Sequence, residues 1–171
     1  MATAAQRHHA VALMDGLHSH SNQFLYPPHD QRTSLEAYDW HLTEAQLVTL
    51  LLHGHLVEFD CSDLSSWVYK AVGLWPVSRG PGYTGTWLGL GLPRYTDGKQ
   101  AGLAAPCVFG IGHEPTGHHM GLVYETDHEH GNPLIFEHGS PGIALTRLSD
   151  IVARQTREGY PGYTFLNVSR L

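Results

Sequence analysis

Basic residues are scarce. Ten Lys and Arg stand against 16 Asp and Glu, a formal net charge of -6 over 171 residues. That balance leaves no electrostatic footprint for nucleic acid and no attraction to anionic membranes. Only two cysteines occur, Cys61 and Cys107, too few for a disulfide scaffold. No apolar stretch approaches the roughly 20 residues of a membrane span, so no stable membrane insertion is expected. Residues 1–9 lack a basic-then-apolar secretion signal. No His-Glu-x-x-His pattern is present, despite 14 histidines. What the chain does have is 42% hydrophobic residues, enough to fill one core without staples. No internal repeat or linker divides it, so a single domain over 1–171 is expected.

One short stretch organises the rest. Cys61, Leu64, Val68 and Val72 recur at helical spacing, which predicts a helix from Cys61 to near Gly73 with one apolar face. Cys61 falls at or just before the first turn, where backbone N–H groups lack intrahelical partners. That position favours a thiolate and offers donors to an oxyanion. Cys61 is therefore the candidate nucleophile, and the backbone N–H groups of Cys61 and Ser62 are the candidate oxyanion donors. Cys107 lies in an apolar run and reads as a small buried hydrophobe.

Upstream, residues 1–9 read as a lead-in. Residues 10–25 read as a helix with Val11, Met14, Leu17 and Leu25 inward, and 26–34 as a polar, Pro-containing loop. Thr43 and Gln46 have the spacing of a capping box, with Leu42 and Leu47 as its hydrophobic staple. The helix they open turns Leu47, Leu50 and Leu51 inward. Residues 73–93 mix repeated glycines with Trp75, Tyr83 and Trp87. They predict an ordered loop, with a helical turn at 84–88, that either lines a groove or anchors itself to the core. Strands are predicted at 106–111, 119–124 and 134–138, the last two joined by the polar hairpin loop 127–132. A helix over 146–158, with Leu148, Ile151 and Val152 inward, precedes a strand over 163–168. The layout is α+β, with N-terminal helices packed on a central antiparallel sheet.

A cysteine nucleophile needs a base and a group that orients the base. His119 opens its strand and shares a face with Gly121 and Val123. On the next strand Leu134, Phe136 and His138 share a face. Antiparallel pairing would bring His119 and His138 together at one end of the sheet, with the Cys61 helix across it. The expected constellation is Cys61 as nucleophile, His119 as base and His138 as the residue that fixes the tautomer of His119.

Asp60-Cys61-Ser62, with Leu64 and the run Trp67-Val68-Tyr69-Lys70-Ala71-Val72-Gly73-Leu74, resembles the nucleophile region of NlpC/P60 cysteine peptidases. His119-Met120-Gly121-Leu122-Val123 is similar to their base-bearing strand, and Phe136-Glu137-His138-Gly139-Ser140 to the strand of the third catalytic residue. The resemblance implies a papain-like fold, a catalytic core over approximately 43–141, and the same roles for Cys61, His119 and His138. More narrowly, Gly80-Pro81-Gly82-Tyr83-Thr84-Gly85-Thr86-Trp87-Leu88 and Gly117-His118-His119-Met120 resemble bacteriophage endolysin peptidase domains directed at actinobacterial walls. The implied activity is an endopeptidase that cuts an amide bond of the peptidoglycan stem peptide, commonly between D-glutamate and a diamino acid, with no cofactor and no metal. Asp60, Asp63, Tyr83, Trp87 and His118 are the candidate groove residues. The implied location is the host cytoplasm before lysis and the cell wall afterwards, reached through a holin, or alternatively the virion. Asp63 stands where the family usually has glycine, and 127–132 lengthens the hairpin between the histidines. The tyrosine that often assists the oxyanion in that family has no match by motif; Tyr83 is a candidate.

Two alternatives belong to other classes. A zinc enzyme would draw ligands from His118, His119, His128, His130, His138 and Asp127, but adjacent strand residues such as His118 and His119 point to opposite faces, and zinc needs convergent ligands. A non-catalytic wall-binding or virion structural domain would use the aromatics as a groove and Cys61 as core. Exposure of Cys61 and its proximity to His119 discriminate between these readings.

Overall fold

The computed structural model describes residues 2–27, 39–75, 80, 82–113, 117–139 and 142–170. Thr3 opens the first helix: its hydroxyl accepts the Gln6 N–H, and the Gln6 side chain accepts the Thr3 N–H at 3.0 Å. This capping box starts α1 (Ala4–Ser19) inside the stretch that reads as a lead-in. The helix also ends early. Leu25 belongs instead to a two-residue strand, β1 (Phe24–Leu25), and is 47% exposed. Of the expected loop at 26–34, Tyr26 and Pro27 follow β1 without regular structure and 28–34 lie outside the described residues.

The second capping box forms as expected at Thr43 and Gln46 and opens α2 (Glu44–Leu52), with Leu42, Leu47 and Leu51 buried and Leu50 half-buried. β2 (Val57–Glu58) then pairs parallel with β1. Asp60 caps α3 (Cys61–Ala71), which ends at Val72 and Gly73. Gly73 takes φ 73°, the left-handed conformation that closes a helix at little cost for a residue without Cβ. The helical turn at 84–88 is α4 (Thr84–Leu88).

The main sheet is antiparallel throughout. Its order is β3 (Arg94–Tyr95), β8 (Tyr163–Leu166), β4 (Pro106–Phe109), β5 (His119–Glu125), β6 (Leu134–Gly139) and β7 (Gly142–Arg147). β7 takes the first residues of the segment expected to be helical, and α5 (Leu148–Arg157) starts directly after it. Only Ile143 of β7 is buried, so the strand carries little alternation to announce it. Together these elements make an α+β fold with helices against both faces of the sheet.

Strand alternation divides the core in two. On one face Val108, Met120, Leu122 and Phe136 meet Leu64, Trp67 and Val68 of α3. On the other, Val123, Ile135 and Phe165 meet Leu148 and Ile151 of α5, with Cys107 fully buried among them as a small hydrophobe. The β5–β6 pairing contains a bulge. Glu125 pairs with Leu134, but Val123 pairs with Ile135, so Tyr124 is the extra residue. An inserted residue reverses which face every later partner presents.

Gly121 sits opposite Glu137 just beyond that bulge. A Cβ at Gly121 would lie 2.6 Å from both Ile135 Cγ2 and the Phe136 carbonyl oxygen. The backbone oxygen cannot give way without moving the strand. Gly121→Ala is expected to cost about 1–3 kcal/mol, read as a lowered midpoint in urea denaturation; an unchanged midpoint would contradict this packing.

Candidate active site

Cys61 occupies the first position of α3 because Asp60 makes a strong cap there. Asp60 Oδ1 accepts the Ser62 N–H at 2.7 Å, the Asp63 N–H at 2.8 Å and the Ser62 hydroxyl at 2.8 Å. The Ser62 N–H is thus committed to the cap, which corrects its expected role as an oxyanion donor. The Cys61 N–H is the remaining backbone candidate. A second donor comes from a residue that no motif pointed to: the Tyr26 hydroxyl, just after β1, donates to Cys61 Sγ at 3.5 Å.

His119 stands at the first position of β5, within interaction reach of Cys61. Its ring stacks on Phe109 at a centroid distance of 5.9 Å, and Nε2–H donates to Glu137 Oε2 at 2.7 Å. Burial opposes charge on this imidazole. Negative charge and hydrogen bonding at Cys61, followed by Glu137, outweigh burial and raise the His119 pKa to about 9. Glu137 is the complement. Burial opposes its charge too, but His119, Arg154 and Thr146 hold it ionised, with a pKa down to about 2. Arg154 grips the carboxylate with both arms, Nη1 to Oε1 at 3.2 Å and Nη2 to Oε2 at 2.5 Å.

The residue beside His119 is therefore Glu137 and not the expected His138. The bulge is the reason. Carried inward from Glu125 and Leu134 without an extra residue, the ladder would set His138 opposite Gly121, on the face of His119. With Tyr124 inserted, Glu137 takes that place, and His138 turns to the α3 side with Phe136. There His138 Nε2–H donates to the Leu25 carbonyl at 3.3 Å, and the ring meets Tyr26 edge-on at 5.1 Å. Burial lowers its pKa. In this position His138 supports the segment that carries Tyr26.

Tyr26, Cys61, His119, Glu137 and Arg154 line a cleft of about 740 Å³, with Cys61 itself 5% and His119 7% exposed. Asp60, Tyr83 and His118 of the expected groove residues line it, and Tyr83 is 59% exposed. Asp63 and Trp87 do not. Asp63 is buried in α3. Trp87 is fully buried, packs at 4.5 Å on Trp75 and 5.0 Å on Tyr69, and donates its indole N–H to Ser66 Oγ at 3.1 Å. The aromatic loop thus does both things its composition allowed: the tryptophans anchor it and Tyr83 faces the cleft. His118 stacks on Tyr160 at 3.5 Å and donates from Nδ1 to Gln155 Oε1 at 2.7 Å.

The chain matches no family model, no curated protein and no solved structure. The histidine-rich hairpin is spread over separate partners, His128 on the Lys99 carbonyl and His130 on Asp127. Among the described residues no three His, Cys, Asp or Glu side chains converge as metal ligands. What does converge is a thiol at a helix start, an imidazole beside it, and a carboxylate on the imidazole's far nitrogen. That set can generate a nucleophile and return a proton to a leaving group.

Proposed function

We propose that the protein is a cysteine peptidase of NlpC/P60 type, papain-like in fold, that hydrolyses an amide bond in peptidoglycan stem peptides. The observation that carries the reading is the Cys61–His119–Glu137 array in the wall of the cleft. The choice of substrate rests on the motif resemblance around Cys61, His119 and the Gly80–Leu88 loop. Action at the bacterial cell wall, after release from the host cytoplasm, follows from that substrate.

In the proposed reaction the Cys61 sulfur attacks the amide carbonyl carbon. The tetrahedral oxyanion is met by the Cys61 N–H and the Tyr26 hydroxyl. His119 gives its proton to the departing nitrogen, the C–N bond breaks, and a thioester remains on Cys61. Water then attacks the thioester carbonyl with His119 taking its proton, the C–S bond breaks to return Cys61 as the thiolate, and the acid product leaves. Glu137 keeps the His119 ring aimed and stabilises its charged form throughout. Tyr26→Phe keeps the ring that packs on His138 and removes only the hydroxyl. It is expected to lower kcat roughly tenfold, below the 10²–10³ of a fully aligned donor, with KM little changed; an unaltered kcat would remove Tyr26 from the mechanism.

The test is digestion of purified actinobacterial peptidoglycan, with products identified by mass spectrometry. Untreated protein should release new peptide ends. Prior alkylation with iodoacetamide should stop the release, because Cys107 is wholly enclosed in the core whereas Cys61, though largely buried, has its remaining exposure on the cleft. A chelator should have no effect. Release that survives alkylation and stops with the chelator would overturn the cysteine reading in favour of metal chemistry.

A further inference from the structure

Resting on the proposed cysteine mechanism, we infer that Arg154 is a positioning residue that keeps the Cys61–His119–Glu137 array charge-balanced and aligned. The cleft is poor in positive charge. Among the described residues that line it, Arg154 is the single Lys or Arg, against Asp60, Glu137 and Glu158. Its two-armed grip on Glu137 is the geometry that fixes a carboxylate in direction as well as in place. Glu137 Oε2 receives both Arg154 Nη2 and His119 Nε2, so the arginine sets the oxygen that the imidazole uses.

Charge alternates along the line. With the sulfur negative and the imidazole positive, Glu137 is negative and Arg154 positive, and the four sum to zero. Without Arg154 the same buried line carries a net negative charge, which opposes ionisation of the sulfur. The other titratable groups around the array do not replace it. Asp60 caps α3 and Asp63 lies in its first turn, Tyr83 stands just before α4, His118 on the approach to β5, Glu158 just after α5 and Tyr26 in the segment after β1. The carboxylates among them add to the negative side. Losing the guanidinium removes the one cation of the line and leaves Glu137 no longer held in direction against His119.

The experiment reads Cys61 directly, without a wall substrate. The rate of Cys61 alkylation by iodoacetamide is followed against pH in the intact protein, in Arg154→Gln and in Arg154→Lys, with folding checked by thermal denaturation. Arg154→Gln is expected to alkylate on the order of tenfold more slowly at neutral pH, with the profile displaced to higher pH. Arg154→Lys keeps the charge but loses the fork and should fall between. It also preserves the test should the glutamine variant fail to fold. Profiles that overlay the intact protein's in both variants, or in the lysine variant alone where only it folds, would overturn the inference while leaving a reactive Cys61. A Cys61 inert in the intact protein at every pH would instead overturn the proposed function and this inference with it.

Discussion

Glu137→Gln is expected to lower kcat for the proposed stem-peptide cleavage by roughly 10²–10⁴-fold, with a far smaller change in KM. The amide keeps the shape of the side chain but removes the charge that helps hold a proton on His119. It also leaves Arg154 without its carboxylate and lets the imidazole settle in either tautomer. The contrasting variant is His138→Leu. That ring lies on the other face of β6, bonded to the Leu25 carbonyl and packed against Tyr26. Its loss should cost about 1–3 kcal/mol of stability, the range for removing a buried hydrogen-bond partner, with a much smaller effect on kcat. Steady-state kinetics and urea denaturation of the two variants separate the roles. A large kcat loss in His138→Leu with little in Glu137→Gln would restore the simple sequence expectation and refute the register seen in the sheet.

The second large effect is on pH. His119 is raised from its ordinary 6.5 to about 9, and Glu137 is lowered from 4.5 to about 2. A raised histidine stabilises the fold fully below 6.5, and that contribution is lost as pH rises through about 9. A depressed glutamate contributes fully above 4.5, and its share is lost as pH falls through about 2. The pair should give a plateau of stability between 4.5 and 6.5 that declines on both sides, by on the order of a few kcal/mol in all. The two groups share one hydrogen bond and titrate as a unit, so their contributions do not add. Urea midpoints across this range test the shape, and Glu137→Gln should flatten the acid side. In the proposed reaction His119 must hold its proton to release the amine, so kcat/KM should fall on an alkaline limb near 9. A limb near 6.5 would mean that Cys61 and Glu137 do not act on the imidazole as drawn.

The parts of the site that local chemistry determines were legible in the chain. Apolar residues at helical spacing put Cys61 at a helix start, though the Asp60 cap that fixes it there went unread, and Thr43 and Gln46 announced α2. The same reasoning applied to Thr3 and Gln6 would have found α1, which the run of polar residues around it obscured. His119 at the head of β5 followed from alternation. The choice between Glu137 and His138 did not, because one extra residue at Tyr124 decides it and bulges have no reliable sequence mark. Tyr26 was invisible for another reason. It reaches Cys61 through a two-residue parallel pairing of β1 with β2, too short to carry a period. The aromatic content of 73–93 points equally to groove and core, and packing against Trp75 and Tyr69 takes Trp87 into the core. Arg154 arrives from α5, far along the chain, and only the folded sheet joins it to Glu137.

Covalent catalysis by Cys61 is tested most directly by catching the thioester. The protein is mixed with soluble stem-peptide fragments, quenched in acid within the first turnovers, digested, and the Cys61 peptide weighed by mass spectrometry. A covalent nucleophile predicts that this peptide gains the mass of the acyl fragment, that hydroxylamine removes it, and that Cys61→Ala shows neither the adduct nor cleavage. Cleavage that proceeds in Cys61→Ala at the rate of the intact protein, with no mass gained at Cys61, would contradict the account.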